Sequence, residues 1–252
     1  MADFRIVDTT LTDRPAEDSA MPFVYQHIRV RDLQLPELAA HAAVAAAAAH
    51  RIFGIDFRPD LRLTDSLCRQ MLLRNRYPQE LSACVLMQLC ADGTAHYRCD
   101  GIFAHNGLTF NPVRPEAVSF CYDIPFGDSP TSVRLAAHTA AMAAARRQGM
   151  RAVVRCNAAG ELATACDAPV FAVFGRRIVT PPAEPSVERD RAVTAAVRAG
   201  YELSESIVER AMLTRADELF YSDCRGITAL ARCDGRTYAD IIARSVAARL
   251  EK

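Results

Sequence analysis

Apolar and polar residues change their rhythm repeatedly along the chain, and each change marks an element. Residues 23–30, Phe-Val-Tyr-Gln-His-Ile-Arg-Val, are rich enough in β-branched and aromatic side chains for a strand. Arg31-Asp32-Leu33 then turns the chain toward a second short strand. Pro36, with Glu37 in the first turn, opens a helix over 38–53 that stops at Gly54. Its run from Ala45 to Ala49 favours helix, and the small side chains let a partner element come close. A second helix is expected over 63–76, capped at Thr64 or Asp65 and halted before Pro78. Residues 81–90 and 95–99 read as strands on either side of Asp92-Gly93, a hairpin turn signal. The first half thus reads as an antiparallel sheet with two helices.

Residues 122–130 carry two prolines and a glycine. They read as a linker between an N-terminal α+β domain (1–121) and a C-terminal α/β domain (131–252). A helix over 132–148 ends at Gly149. Residues 152–155 and 170–174 are strands, with 157–160 as the turn between them. Pro181 and Pro182 break the chain before a helix over 189–199 that ends at Gly200. A short helix is expected over 208–214, strands over 218–222 and 226–233, and a closing helix over 237–250.

Charge and composition then exclude several classes. The chain has 252 residues, with 30 basic and 30 acidic side chains and no net charge. It lacks the basic field of a nucleic-acid or anionic-membrane binder, and no apolar run approaches the ~20 residues of a membrane span. Residues 1–18 are charged and have no leader-like apolar core, so a cytoplasmic protein is expected. The nine cysteines form no C-x-x-C pair and read as reduced and mostly buried. His27, His41, His50, His96, His105 and His138 show no metal-binding spacing, so no metal site is expected. One imbalance stands out: Lys252 is the only lysine, and every other basic residue is arginine. A GC-rich genome produces a similar bias.

A set of motifs in fixed order gives that imbalance a meaning. They are His41 to Ile55; Gly160 with Val170-Phe171-Ala172-Val173; Thr180-Pro181-Pro182; Ser186-Val187-Glu188-Arg189; Ala216-Asp217-Glu218-Leu219-Phe220; and Cys233-Asp234-Gly235-Arg236. Over nearly its whole length the chain resembles the class IV aminotransferases. These are the fold type IV pyridoxal-phosphate enzymes, including branched-chain and D-amino-acid aminotransferases and aminodeoxychorismate lyase. The resemblance implies a two-domain α+β / α/β architecture of the D-amino-acid aminotransferase kind, a homodimer, and a cleft between the domains.

The resemblance also assigns chemical positions, and each holds an unsuitable residue. Thr131 stands where the family's Schiff-base lysine belongs, and Thr164 where its carboxylate protonates the pyridine nitrogen. Val44 replaces an arginine that grips the cofactor phosphate. Val187 and Glu188 fall on the isoleucine and the phosphate-binding threonine of the G-I-T-R segment, and Asp223-Cys224 on a late G-T pair. Losing one arginine–phosphate pair forfeits roughly 1.5–3 kcal/mol, and a carboxylate nearby adds repulsion. Arginine-for-lysine drift predicts arginine at the lost sites, not Thr131, Thr164 and Val44.

The resulting expectation is a pseudoenzyme with no catalytic residues and no bound pyridoxal phosphate. It would bind a small molecule in the interdomain cleft, beside Val44, Thr131, His138, Thr164, Val187, Glu188, Asp223 and Cys224. Two alternatives stay open. One is an active aminotransferase or lyase of lysine-independent mechanism with His138 as base. The other is a structural or interaction protein whose cleft is closed. A reactive Cys224 activated by Arg225 is a further candidate.

Overall fold

A computed structural model describes residues 3–14, 21–103, 106–126 and 129–251; His105, Lys252 and Gly127-Asp128 of the expected linker lie outside them. The described residues gather into two compact units. One runs to Gly107 and includes Ser129–Val133; the other runs from Leu108 to Phe126 and from Arg134 onward.

The first unit contains β1 (Arg5–Val7), β2 (Thr10–Thr12), β3 (Phe23–Val30), α1 (Leu38–Phe53), α2 (Leu61–Arg74), β4 (Ala83–Cys90) and β5 (Ala95–Ile102). Its strands form an antiparallel sheet in the order β2-β1-β5-β4-β3. Val24, Ile28 and Val30 of β3 share a core with Ala45, Ala48 and Ala49 of α1. Methyl side chains on the helix let its backbone lie close to the strand. Gln26, at the alternating position between Val24 and Ile28, makes a buried hydrogen bond to Nδ1 of His41 in α1 (2.9 Å). α1 ends where expected, with Gly54 in the left-handed region at φ 71°.

Two local expectations need correction. α2 begins at Leu61 because Asp60, not Thr64 or Asp65, caps it, accepting the N–H groups of Arg62 and Leu63 at 3.0 Å. Asp65 instead accepts the N–H of Leu35 (3.4 Å). Arg31 and Gln34 exchange backbone hydrogen bonds of 2.9 Å around a two-residue turn, in place of a second strand. Asp32 and Leu33 take φ of 50° and 58° there. Leu33 tolerates that conformation while its side chain is buried in the core.

The second unit contains β6 (Thr109–Phe110), β7 (Glu116–Cys121), α3 (Ser132–Arg147, from Arg134 on), β8 (Ala152–Cys156), β9 (Leu162–Ala165), β10 (Val170–Phe174), β11 (Arg177–Thr180), α4 (Val187–Arg198) and β12 (Glu202–Glu205). A 3-10 turn (Arg210–Thr214), β13 (Glu218–Asp223), β14 (Gly226–Ala229), β15 (Arg232–Cys233), β16 (Arg236–Thr237) and α5 (Ile241–Ala247) complete it. Two sheets form, ordered β12-β11-β10-β13-β14-β6 and β16-β15-β7-β8-β9. β7 pairs in parallel with β8, so residues 108–121 belong with the second unit rather than with the first half.

Alternation along β10 and β13 serves two cores. Phe171, Val173 and Phe220 pack with alanines of α4 and α5, the two rings stacking at 5.1 Å. Val170, Ala172, Leu219 and Tyr221 pack with Ala117, Ala152, Val154 and Leu162 of the other sheet. A strand buried on both faces has no polar alternation, which is why residues 170–174 read as one apolar run. The turn at 157–160 leads from β8 into β9, a strand the pattern does not mark, rather than into β10. The carboxylate of Glu218, buried, accepts the N–H groups of Ile242 and Ala243 (2.8 and 2.9 Å). It thereby fixes the start of α5, which is shorter than the expected 237–250 helix.

Candidate functional site

The candidate residues divide between the units. In the first, Val44 sits half-buried in the middle of α1, and Thr131 is buried. Thr131 bridges to Val24 of β3, and the neighbouring Pro130 carbonyl accepts the N–H of Tyr25 (2.8 Å). Position 131 is therefore held as part of the sheet edge. In the second unit lie His138, Thr164, Val187, Glu188, Asp223 and Cys224.

His138 stands one turn beyond Arg134 on α3 and belongs to a cluster that sequence reading missed. Arg134 is buried and pairs with Asp167, its Nε 2.5 Å from Oδ1 and its Nη2 2.7 Å from the Asp167 carbonyl. Cys166 and Asp167 take φ of 50° and 64°, a two-residue turn between β9 and β10 that presents this carboxylate. Burial pushes the His138 imidazole below its ordinary pKa; Asp167 opposes that shift and Arg134 reinforces it. The imidazole is thus held toward its neutral form. Burial also pushes the Tyr122 phenol up. The Arg155 guanidinium lies 5.9 Å from the Tyr122 ring centre and reaches its carbonyl (3.5 Å). Arg155 is the register partner of Thr164, so the two buried side chains share one face of the β8–β9 pair. The available signal was arginine inside otherwise apolar segments: Arg134 in an alanine-rich helix and Arg155 in Ala-Val-Val-Arg-Cys.

Two further candidate groups are held by local hydrogen bonds. Ser186 caps α4: its Oγ accepts the N–H of Arg189 (3.3 Å), and its hydroxyl donates to Glu188 (2.8 Å). Val187 is buried in that first turn. Asp223 accepts the backbone N–H (2.8 Å) and Nε (2.9 Å) of Arg225. That pairing engages the guanidinium beside the half-buried Cys224. Cys166, its thiol pushed up by burial, adjoins Tyr221 and the Asp223–Arg225 pair. His138 thus lies near the Arg134–Asp167 pair, Thr164 sits beside Arg155, and Asp223 lies near Cys166.

Elsewhere in this unit a groove of about 360 Å³ is lined by Arg210, Leu213, Asp234, Arg236 and Tyr238. Its polar groups are already engaged: Arg210 with Asp234 (3.1 Å), the Tyr238 hydroxyl with the Leu213 carbonyl (3.0 Å), Arg236 with the Ala216 carbonyl (3.2 Å). Among the described residues no group of three or more His, Cys, Asp or Glu side chains is placed to hold a metal ion. No described helix is long and apolar enough to cross a membrane.

Solved structures resemble the chain from end to end. An aminotransferase from Brucella abortus, bound to the cofactor PLP, superposes with a TM-score of 0.80 at 15% identity, over 100% of this chain and 98% of that one. The fold is that of the fold type IV aminotransferases. The branched-chain aminotransferase of Thermoproteus uzoniensis, solved with norvaline, gives 0.80 at 17% identity, over 99% and 93% of the two chains. The Escherichia coli branched-chain enzyme gives 0.76 at 16%, over 98% and 92%. No protein-family model and no curated protein matches the sequence.

The Brucella abortus structure holds PLP, and the positions expected to face such a group have these surroundings here. Thr131 carries no amine, and its backbone is committed to β3. Thr164 offers no carboxylate for a pyridinium, and its register neighbour is the guanidinium of Arg155. The first turn of α4 already holds Glu188 and Asp190. Helix N-termini attract anions through their free N–H groups and dipole, and internal carboxylates there repel a phosphate.

Proposed function

We propose that this chain is a pseudoenzyme of the aminotransferase fold, one that has left lysine-dependent pyridoxal chemistry and binds a small molecule instead. The observation that carries the reading is position 131: a buried threonine, in a chain whose only lysine is Lys252. Thr164 beside Arg155, and Glu188 in the first turn of α4, support it from independent elements. Each replacement weakens a different attraction for pyridoxal phosphate, and none supplies a substitute. The same reading makes the protein a cytoplasmic homodimer.

Retention of the cofactor is the direct test. After incubation with saturating pyridoxal phosphate and gel filtration, the protein should emerge colourless, with an unchanged melting temperature. A stoichiometric visible chromophore that borohydride bleaches while fixing the pyridoxyl group covalently to the protein would sink the proposal. A panel of metabolites should contain at least one compound that raises the melting temperature; if none does, the binding half of the proposal fails. His138, held toward neutrality, favours one rival, a lysine-independent enzyme with that imidazole as base. Keto acid release from amino acids, lost on His138→Ala, would establish it.

A further inference from the structure

Two of the nine cysteines are neighbours across a strand pair. Cys121 closes β7 and Cys156 closes β8, and in the parallel pairing of those strands they are register partners. Adjacent strands lie about 4.8 Å apart, inside the ~4.4–6.8 Å between Cα atoms that a disulfide spans. Register partners project to the same face, so the two thiols lie side by side. Both stand at strand ends, and β8 has a register irregularity at Arg155/Cys156. The closer Cβ approach of a disulfide therefore displaces chain ends, not the middle of a sheet.

Their surroundings differ in a way that suits exchange. Cys121 is exposed and Cys156 is buried. Arg210, paired with Asp234, lies near both thiols. Burial, with Cys121 reinforcing it, pushes the Cys156 thiol up to about 11; Arg210 opposes that shift. An accessible thiol backed by a sheltered one is the arrangement of an attacking and a resolving cysteine.

We propose that Cys121 and Cys156 form a reversible dithiol–disulfide pair, a redox modification site that exchanges with small disulfides such as glutathione disulfide. The Cys121 thiolate attacks one sulfur of the small disulfide, forming a mixed disulfide and expelling one small thiolate. Cys156 then loses its proton and attacks Sγ of Cys121, and the second small thiolate leaves. Two electrons pass from the protein to the small disulfide, and the two protons end on the two released thiols. The bond ties the start of the 122–126 segment to β8, where the Tyr122 N–H already donates to the Cys156 carbonyl (3.0 Å). The site stands apart from the pseudoenzyme reading and survives its failure.

The test equilibrates the purified reduced protein in glutathione buffers of graded oxidised-to-reduced ratio, traps free thiols by alkylation and maps peptides by mass spectrometry. An internal Cys121–Cys156 cross-link should rise to dominance as the ratio climbs and disappear with excess reduced glutathione. Cys156→Ser should instead accumulate glutathione on Cys121, and Cys121→Ser should leave Cys156 reduced. Three results overturn the proposal: both thiols alkylated separately at every ratio, a lasting glutathione adduct on Cys121 of the parent protein, or Cys156 joined to Cys233. The parent's own peptide map decides the matter even where a variant fails to fold.

Discussion

At the residue scale, the informative positions carry charge into apolar surroundings. The Arg134 and Asp167 side chains are 11% and 13% exposed and held by two hydrogen bonds. Removing one partner of such a pair leaves the other charge buried and uncompensated, which costs roughly 3–5 kcal/mol. Asp167→Asn keeps the bond to the backbone carbonyl, so a loss of about 3 kcal/mol is expected, read as a lower urea midpoint at unchanged slope. His138 adds a pH dependence. Its pKa is depressed in the fold, so the unfolded chain binds a proton more readily there. The contribution of His138 is therefore intact above the unfolded value of about 6.5 and lost as pH falls below it. His138→Gln should lose less stability than the parent between about pH 7 and pH 5 in denaturation titrations. Equal losses would show that the imidazole is not the sensor.

At the element scale, the second unit depends on a close crossing of two short strands. β6 adds in parallel to β14, and Gly226 meets Thr109 there. A Cβ on Gly226 would lie 2.1 Å from the Thr109 carbonyl oxygen, and its φ of 122° is one that L side chains rarely adopt. Gly226→Ala should cost roughly 2–4 kcal/mol, combining backbone strain with overpacking, and hydrogen exchange should open first at Thr109 and Phe110. Nothing in the local pattern singles out this glycine, because its partner is more than a hundred residues away in the chain. The caps were more legible. Gly54 and Gly149 end helices as local chemistry requires. Asp60, Thr64 and Asp65 stand close together in the sequence and each can cap a helix, and only the fold selects Asp60. The short strands β1, β2, β6, β11 and β12 have no rhythm long enough to read. Their identity comes from pairing with distant partners.

At the scale of the whole molecule, the fold is that of the fold type IV aminotransferases, and the proposal is that pyridoxal chemistry has left it. If that reading holds, cultures grown with and without added pyridoxine should yield protein of the same melting temperature. A rise with the supplement would mean that the cofactor binds after all. The motifs that carry the family resemblance have structural duties of their own. Glu218 holds the start of α5, Asp217 accepts the N–H of Gly175 (2.7 Å), and Asp234 anchors the Ser119 backbone (2.9 Å). Such duties persist when catalysis is lost, so the fold can outlast its reaction.

The sequence by itself determined the helices with clear caps, the apolar strands, the order of the motifs and the absence of an internal lysine. All of these are local or countable, set by rotamer preference, burial and chain chemistry over a few residues. Only the tertiary structure decided which arginine meets which carboxylate, which face of β8 Thr164 shares, and that Cys121 and Cys156 end on adjacent strands. Those outcomes depend on register and pairing between distant segments, and a one-residue slip in either strand sends the side chain to the opposite face.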